Sequence, residues 1–207
     1  MEQQPVEVRA TEGSFGVLDA GAVQGEPADY STGLVITMPT GARVHTGINT
    51  GPVRITATAL PRRPAPPTDT HDWDEVVEAS AHAPRGLLRV ESLDEGPVAG
   101  LPPLSPDGPG WYRLLVLARG RDTAHDAAVD RPTEDYAITA WPEPPSPPRL
   151  LKTADECGRT LRLAASRRPA PPPALALPDA GEEDRQAALR AARLQAMGTP
   201  QQPTGDR

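Results

Sequence analysis

Short segments in which apolar and polar side chains alternate fill the first 145 residues of the chain, and turns rich in glycine and proline separate them. In "PVRITATAL" (52–60), Val53 and Ile55 fall on one face of an extended chain and Arg54 on the other, the period of two typical of a half-buried strand. The segment "WYRLLVLARG" is the most apolar and predicts a central strand. Together these patterns predict strands at 52–60, 73–80, 86–92, 111–120 and 134–142, and weaker ones at 5–10, 14–20, 33–38 and 43–48.

No long segment with the periodicity of a helix occurs in the sequence before residue 180. A parallel α/β sheet needs long crossover connections, usually helices, and the sequence offers no place for them. Short strands at near-regular spacing are typical of antiparallel sandwiches and barrels. We therefore predict an all-β fold, a single antiparallel, jelly-roll-like β-sandwich over residues 4–145. Within it, the glycine-rich stretch 41–54 is expected to form a hairpin between two strands.

The C-terminal third changes in composition, because proline becomes frequent after residue 141. We expect an extended proline-rich segment over 146–181, in which "RLLKTADECGRTLRLAA" (149–165) could supply one short strand or helical turn. Residues 182–197 have acids in the first turn and arginines further on, as a helix dipole favours, but little apolar surface. They predict a marginal tail helix, followed by a disordered end at 198–207.

Charge and hydropathy exclude several classes of function. The chain has a net charge of −7, and the part up to Ser166 contains 23 acidic and 15 basic residues. Such a body repels phosphate backbones, so nucleic-acid binding is not expected, whereas a basic protein partner or a cation is compatible. No stretch approaches 18 consecutive apolar residues and the N-terminus lacks the pattern of a signal peptide, so we expect no membrane contact and a cytoplasmic location.

The stretch "GWYRLLVLARGRDTAHDAAVD" (110–130) holds the candidate binding residues. If 111–118 is a strand, two arginines two positions apart project to the same side at its end. They would form an anion clamp, beside a histidine that acts as acid or base and is oriented by Asp126 or Asp130. The residues of this candidate site are Arg119, Arg121, Asp122, His125 and Asp126.

A structural interpretation of the same stretch is the one we favour. Arg119 would pair with Asp122 or Glu134 and fix the loop, and the polar residues would be the margin of a sheet. The spacing matches no nucleophile motif, and no catalytic residue is predicted.

Two other features have stronger structural than functional interpretations. In "DTHDWDE" (69–75), neighbouring side chains on an extended chain alternate in direction, so convergence on a metal ion is not expected. Cys157, the only cysteine, lies in an acidic context that raises a thiol pKa, and we expect a partly buried structural thiol. No metal and no cofactor is predicted, and most of the three tryptophans are expected to serve the core.

The order of "VHTGINTGPVRITATAL", "WDEVVEAS", "GWYRLLVLARGRD" and "EDYAITAWP" resembles a set of uncharacterised proteins from GC-rich bacteria. In those proteins a strand ending in a turn like Ala118–Asp122 precedes a strand ending in Trp-Pro, here Trp141 and Pro142. The resemblance covers residues 5–145 and implies a β-sandwich with no established activity. More distantly, "DEVVEAS" with a late Gly-Trp-Tyr-Arg-Leu strand is similar to competence protein J, a small nuclease-inhibitor β-sandwich.

These features predict a non-catalytic, cytoplasmic binding protein that presents an acidic surface to a protein partner, one form of which is an inhibitor or immunity-like protein. The alternative is a small-molecule-binding protein or enzyme that uses Arg119, Arg121 and His125 at a strand end. A third hypothesis is an accessory module whose tail helix docks onto a larger assembly. A sandwich hosts many unrelated functions, so the fold does not choose among them.

Overall fold

The computed structural model of the protein describes residues 4–21, 23, 28–65 and 70–167. In these residues the chain forms eleven strands and one helix. The described part of the chain contains no helix with the length and hydropathy of a membrane span. The predicted tail helix at 182–197 and its flanking segments 168–181 and 198–207 lie outside the described residues. The elements are β1 (Val6–Ala10), β2 (Ser14–Asp19), β3 (Val35–Thr37), β4 (Ala42–His45), β5 (Gly51–Ala59), β6 (Glu75–Ala83), β7 (Leu88–Ser92), β8 (Gly96–Pro97), β9 (Gly110–Arg119), β10 (Asp135–Pro142), β11 (Arg149–Thr153) and α1 (Glu156–Ala165).

The alternating segments form strands as predicted. In β5, Val53 and Ile55 are fully buried while the side chain of Arg54 is exposed, so the period of two in the sequence becomes the two faces of a sheet. The nine predicted strands each coincide with an observed one, with boundaries shifted by a few residues at most. The prediction of a mostly β protein is confirmed.

The strands are arranged in two sheets that share a core. The large sheet has the order β1-β5-β10-β9-β6-β11, and the small sheet has the order β3-β4-β2-β7-β8. One cluster of buried side chains draws on both sheets, including Leu114 and Ile138 from the large sheet and Val17 and Val44 from the small one. The rings of Phe15 and Tyr136 meet edge to face across it, with centroids 5.1 Å apart.

The prediction of purely antiparallel pairing is wrong for one pair of strands. β5 and β10 run parallel, with Ile55 opposite Tyr136 and Ala57 opposite Ile138. Period-two patterning reports which side chains are buried and carries no information on strand direction. The connection needs no crossover helix, because the chain between the two strands forms β6 to β9.

The glycine-rich hairpin expected at 41–54 is also wrong. β4 belongs to the small sheet and β5 to the large one, so this stretch carries the chain from one sheet to the other. Both sheets have open edges, at β1 and β11 and at β3 and β8, among the strands that the structure describes.

Past residue 145 we predicted extended chain with one short strand or helical turn at 149–165, and the described residues form both a strand, β11, and a ten-residue helix, α1. Residues 143–148, which we call the proline strap, link β10 to β11 across the positions of β9 and β6. Three strand spacings are about 14 Å and six residues of polyproline helix reach about 19 Å, so an extended strap is long enough. Arg113 fixes it by donating to the carbonyl oxygens of Ser146 (2.9 Å) and Pro147 (3.0 Å).

Replacing a buried leucine in the central strand tests the shared core. Leu114→Ala should lower the free energy of unfolding by about 2–5 kcal/mol, since it removes buried methyl groups and leaves a cavity. Urea denaturation followed by circular dichroism measures the change. Leu87→Ala, at a side chain that is 48% exposed, is the matched control and should change stability by less than about 0.5 kcal/mol. Equal effects of the two variants would contradict the assignment of the core.

Candidate functional site

The predicted site lies where β9 ends. Gly120 has a φ of +84°, and a Cβ at this position would lie 2.4 Å from the carbonyl oxygen of Thr133, so the turn requires glycine. The amide of Gly120 donates to a carboxylate oxygen of Asp74 at 2.9 Å. This turn separates Arg119, still in the strand, from Arg121, which lies in the following turn.

Arg119 lies on the outer face of the large sheet. Its Nε donates to Asp135 at 2.9 Å, and its guanidinium lies 5.2 Å from the centroid of the Trp73 ring. The structural interpretation was therefore right about pairing, but the partner is Asp135 instead of Asp122 or Glu134. Asp135 is opposite Arg119 in the register of β9 and β10, which a sequence without pairing information does not give.

Arg121 points into the protein and is completely buried. Its Nε and one Nη each donate to Asp155, at 2.7 and 2.8 Å, and the other Nη donates to the carbonyl oxygen of Gly33 at 3.0 Å. A bidentate arginine–carboxylate pair of this kind is strong and geometrically specific. The two arginines that the sequence placed together thus lie in different surroundings, one exposed and one buried.

The three remaining residues of the predicted site have different surroundings. Asp122 accepts the backbone N–H groups of Glu156 (2.8 Å) and Cys157 (2.9 Å), so it caps the first turn of α1. His125 is exposed, and in the described part of the chain no hydrogen bond joins it to Asp126 or Asp130. Asp126 accepts a side-chain hydrogen bond from Asn49 at 3.3 Å.

The start of α1 closes the buried side of the site. Asp155 is the N-cap residue and accepts from the N–H of Gly158 at 2.7 Å while it binds Arg121. A carboxylate at a helix N-terminus satisfies free N–H groups and interacts favourably with the helix dipole. Sequence reasoning missed Asp155, although an aspartate directly before a helical segment, followed by an acidic residue in the first turn such as Glu156, is an N-cap signal.

A second buried carboxylate belongs to Glu134. It accepts hydrogen bonds from the amides of Gly47 and Ile48 and from the hydroxyl of Tyr136. Burial raises the pKa of Glu134 above its ordinary value, and these donors only partly offset it. Burial, followed by the proximity of Glu134, also raises the pKa of Tyr136 well above 10. The hydroxyl therefore stays protonated and acts as a donor.

The helix is held at its other end by Glu75. Arg162 donates to both carboxylate oxygens of Glu75, at 2.8 and 3.2 Å, and to the carbonyl oxygen of Thr32 at 3.2 Å. Burial raises the pKa of Glu75, against the lowering effect of Arg162. We call Glu75, Arg121, Glu134, Tyr136, Asp155 and Arg162 the polar interior. It joins α1 to the ends of both sheets.

The thiol of Cys157 lies next to the polar interior. The residue is 3% exposed, and burial raises its pKa to about 11, although Arg121 partly offsets the effect. A thiol with such a pKa is almost wholly protonated near neutral pH and is a poor nucleophile. The predicted burial of Cys157 is confirmed, but burial raises the pKa more than the acidic neighbours do.

The described side chains of the acidic stretch 69–75 do not point to a common centre. Glu75 is buried against Arg162, Asp74 binds the amide of Gly120, and the side chain of His71 is 95% exposed, while Asp69 is outside the described residues. Among the described residues, no group of three or more histidine, cysteine or acidic side chains could hold a metal ion.

The outer face of the large sheet carries a second charged network. Glu78 is buried and forms ion pairs with Arg63, Arg113 and Arg149. Arg63 also pairs with Glu143. The guanidinium of Arg63 lies 5.2 Å from the centroid of Trp141, which is 1% exposed. Trp141 thus belongs to a small buried apolar cluster on this face, and the partly buried Trp73 packs against the same cluster. Trp111 is also partly buried and stacks on the ring of His82.

A small cavity lies beside α1. It has a volume of about 100 Å³ and is lined by Tyr30, His45, Leu161, Ala164 and Ala165. Pockets that enclose small-molecule ligands usually measure about 300–1,000 Å³, so this cavity has room for little more than one small side chain.

Comparisons with known proteins add little to this geometry. No family model matches the chain, and no curated protein matches it. One solved structure, titled "Crocagin biosynthetic gene J", is similar over 68% of this chain and 97% of that chain, with 18% sequence identity and a TM-score of 0.42. A likeness this distant carries no argument about function. The resemblances to uncharacterised proteins of GC-rich bacteria and to competence protein J stay predictions.

The buried arginine provides a test of the polar interior. Arg121→Met should lower the free energy of unfolding by about 3–5 kcal/mol, because it leaves the buried carboxylate of Asp155 without its counter-charge. Chemical denaturation measures the loss. Arg159→Met is the control, since the Arg159–Glu156 pair is exposed to solvent and its removal should leave the stability almost unchanged. A loss below about 1 kcal/mol for Arg121→Met would show that Asp155 does not depend on this pair.

The ion pair between Arg63 and Glu143, the first residue of the proline strap, predicts a pH dependence of stability. The hydrogen bond from Arg63 lowers the pKa of Glu143 from 4.5 to about 2. A depressed pKa in the folded state gives stability that is present above about pH 4.5 and is lost as the pH falls toward 2. Arg63→Ala should move the pKa of Glu143 back toward 4.5 and remove that part of the pH dependence. Carboxyl ¹³C NMR titration measures the pKa, and Arg131→Ala, at an exposed residue, should leave it unchanged.

Proposed function

We propose that the protein is a non-catalytic binding protein that recognises a protein partner, and that β11 and α1 contribute to the contact. The observation that carries the proposal is the position of exposed apolar side chains. Five large ones are exposed in the described residues, and three of them, Leu150, Leu151 and Leu163, fall within one short stretch. Neighbouring exposed apolar side chains, such as Leu150 and Leu151 on β11, mark interaction sites more often than single scattered ones do.

The use of the charged residues supports binding over catalysis. Arg121 and Asp155 form a buried ion pair with each other. Asp122 caps α1, and Arg119 binds Asp135 on the outer face of the large sheet. The alternative function, a small-molecule enzyme or binding protein, needed Arg119, Arg121 and His125 to converge on one pocket. Their separation, and the small volume of the cavity beside α1, remove the support for that alternative.

The protein surface is less acidic than the net charge of the chain suggests. In the described residues six carboxylate side chains are buried but only two arginines, so much of the acidic excess lies inside the protein. The buried acids are Asp19, Glu75, Glu78, Glu91, Glu134 and Asp155. An inhibitor or immunity-like role is one form of the proposed function, and a cytoplasmic location stays a prediction from the sequence.

The scaffold that we infer for this binding protein is a β-sandwich. One core cluster contains side chains from both sheets, which is the arrangement of two sheets packed face to face. The parallel pair β5–β10 and the open sheet edges give no support to the jelly-roll form of the prediction.

Purification of the tagged full-length chain from cells that make it naturally tests the function. We expect a stoichiometric complex with a second protein in size-exclusion chromatography and native mass spectrometry. The triple variant Leu150→Ser, Leu151→Ser, Leu163→Ser should weaken the complex by about tenfold or more, because it removes the exposed apolar contacts. Leu87→Ser, at an equally exposed leucine outside β11 and α1, is the matched control and should have little effect. Elution of the wild-type chain without a partner would contradict the proposal.

A further inference from the structure

β11 is an edge strand of the large sheet. It pairs with β6 on one side, and in the described part of the chain no strand pairs with its other side. An open edge presents backbone N–H and C=O groups that an added extended segment can satisfy. The register with β6 shifts between Leu150 and Lys152, so Leu151 lies at an irregularity of the ladder.

The two edges of the large sheet differ in what they expose. On β1, at the opposite edge, Val8 and Ala10 are buried, and the exposed side chains Glu7 and Arg9 are charged, so that edge exposes no large apolar side chain. On β11, Leu150 is 47% exposed and Leu151 is 41% exposed. Leucines at an open edge favour association with another chain, which makes β11 the better docking edge.

The first residue of β11 belongs to a cluster with excess positive charge. Arg149, whose side chain is 58% exposed, joins Arg63 and Arg113 around Glu78. Together with Glu143, this places three guanidinium groups around two carboxylates. One positive charge is left over, and Arg149 is the most exposed of the three arginines.

Lys152 adds a second positive charge beyond the leucines. Its Nζ donates to the backbone carbonyl oxygens of Thr70 (2.9 Å) and His71 (3.2 Å), and carbonyl groups orient an ammonium without neutralising its charge. The edge therefore has two leucines flanked by two cationic residues. Charge complementarity calls for a partner segment that is apolar in the middle and acidic around it.

A second copy of this chain fits the edge less well. Antiparallel pairing of two β11 strands around Leu151 would bring Arg149 and Lys152 of both copies together, four positive charges at one short interface. Like charges at that distance oppose association.

We infer that β11 binds an extended segment of a partner protein, which adds to the large sheet as a further strand and carries apolar and acidic side chains. This inference rests on the proposed function, because it names the surface and the chemistry of the partner. Backbone hydrogen bonds along β11 hold the segment, Leu150 and Leu151 contact its apolar side chains, and Arg149 and Lys152 attract its carboxylates.

Site-specific photocrosslinking in cells tests the inference with the full-length chain. Benzoylphenylalanine is placed at position 151 in one protein and at position 87, an exposed leucine away from the edge, in another. We expect position 151 to crosslink to a partner protein, and position 87 not to. Mass spectrometry of the crosslinked peptide should identify a segment that is rich in apolar and acidic residues.

The other outcomes are distinguishable. A crosslink from position 151 to this same chain, or to a basic segment, would overturn the inference. A partner that crosslinks only through position 87 would also overturn it, together with the assignment of the contact to β11 and α1, but would leave standing the proposal that the chain binds a protein partner. If no partner crosslinks or co-purifies, the proposed function and the inference both fail.

Charge removal gives a second readout. Arg149→Gln with Lys152→Gln should lower the crosslinking yield at position 151 by about tenfold and make the remaining yield insensitive to salt. The control, Arg85→Gln with Arg89→Gln, removes two exposed charges near β7 and should leave both unchanged. Thermal unfolding confirms that each variant is folded. An unchanged yield in a folded Arg149/Lys152 variant would overturn the acidic chemistry assigned to the partner.

Discussion

The bidentate pair between Arg121 and Asp155 is the interaction on which the candidate site and the helix depend. Both side chains are almost completely buried, so each charge needs the other to offset the loss of hydration. Arg121 follows β9 of the large sheet, Asp155 begins α1, and the same guanidinium also binds the carbonyl oxygen of Gly33. One side chain thus joins the end of the large sheet, the helix and the chain that enters the small sheet.

The same constraint explains the distribution of charge. Burial raises the pKa of Glu75 and Glu134, and each is accommodated by donors close around it, an arginine for Glu75 and amides with a tyrosine hydroxyl for Glu134. Acidic residues used in this way do not contribute to the surface that a partner meets. Next to β11, by contrast, three arginines surround two carboxylates, and Lys152 donates to neutral carbonyl oxygens of described residues.

Local patterns predicted the strands well but the site poorly. The alternation in "PVRITATAL" and the apolar run of 111–120 gave β5 and β9 with nearly their observed bounds. The same period-two rule placed Arg119 and Arg121 on one side, and it failed because Gly120 turns the chain at that position. The partners that decide their roles, Asp135 and Asp155, lie 16 and 34 residues further along the chain. Contacts over such separations leave no periodic signal in a single sequence.

The sequence by itself determined where this chain forms strands between residues 5 and 142 and which of their side chains face the core, because these properties follow from local alternation. The raised pKa of Cys157 comes mainly from burial, which depends on the tertiary structure. Only the tertiary structure decided that β5 and β10 run parallel, that the proline strap crosses the large sheet, and that β11 leaves two leucines on an open edge. Strand direction, sheet order and the pairing of distant charges depend on which segments meet in space. The physical reason is that burial patterns specify a face for each strand but not its neighbour.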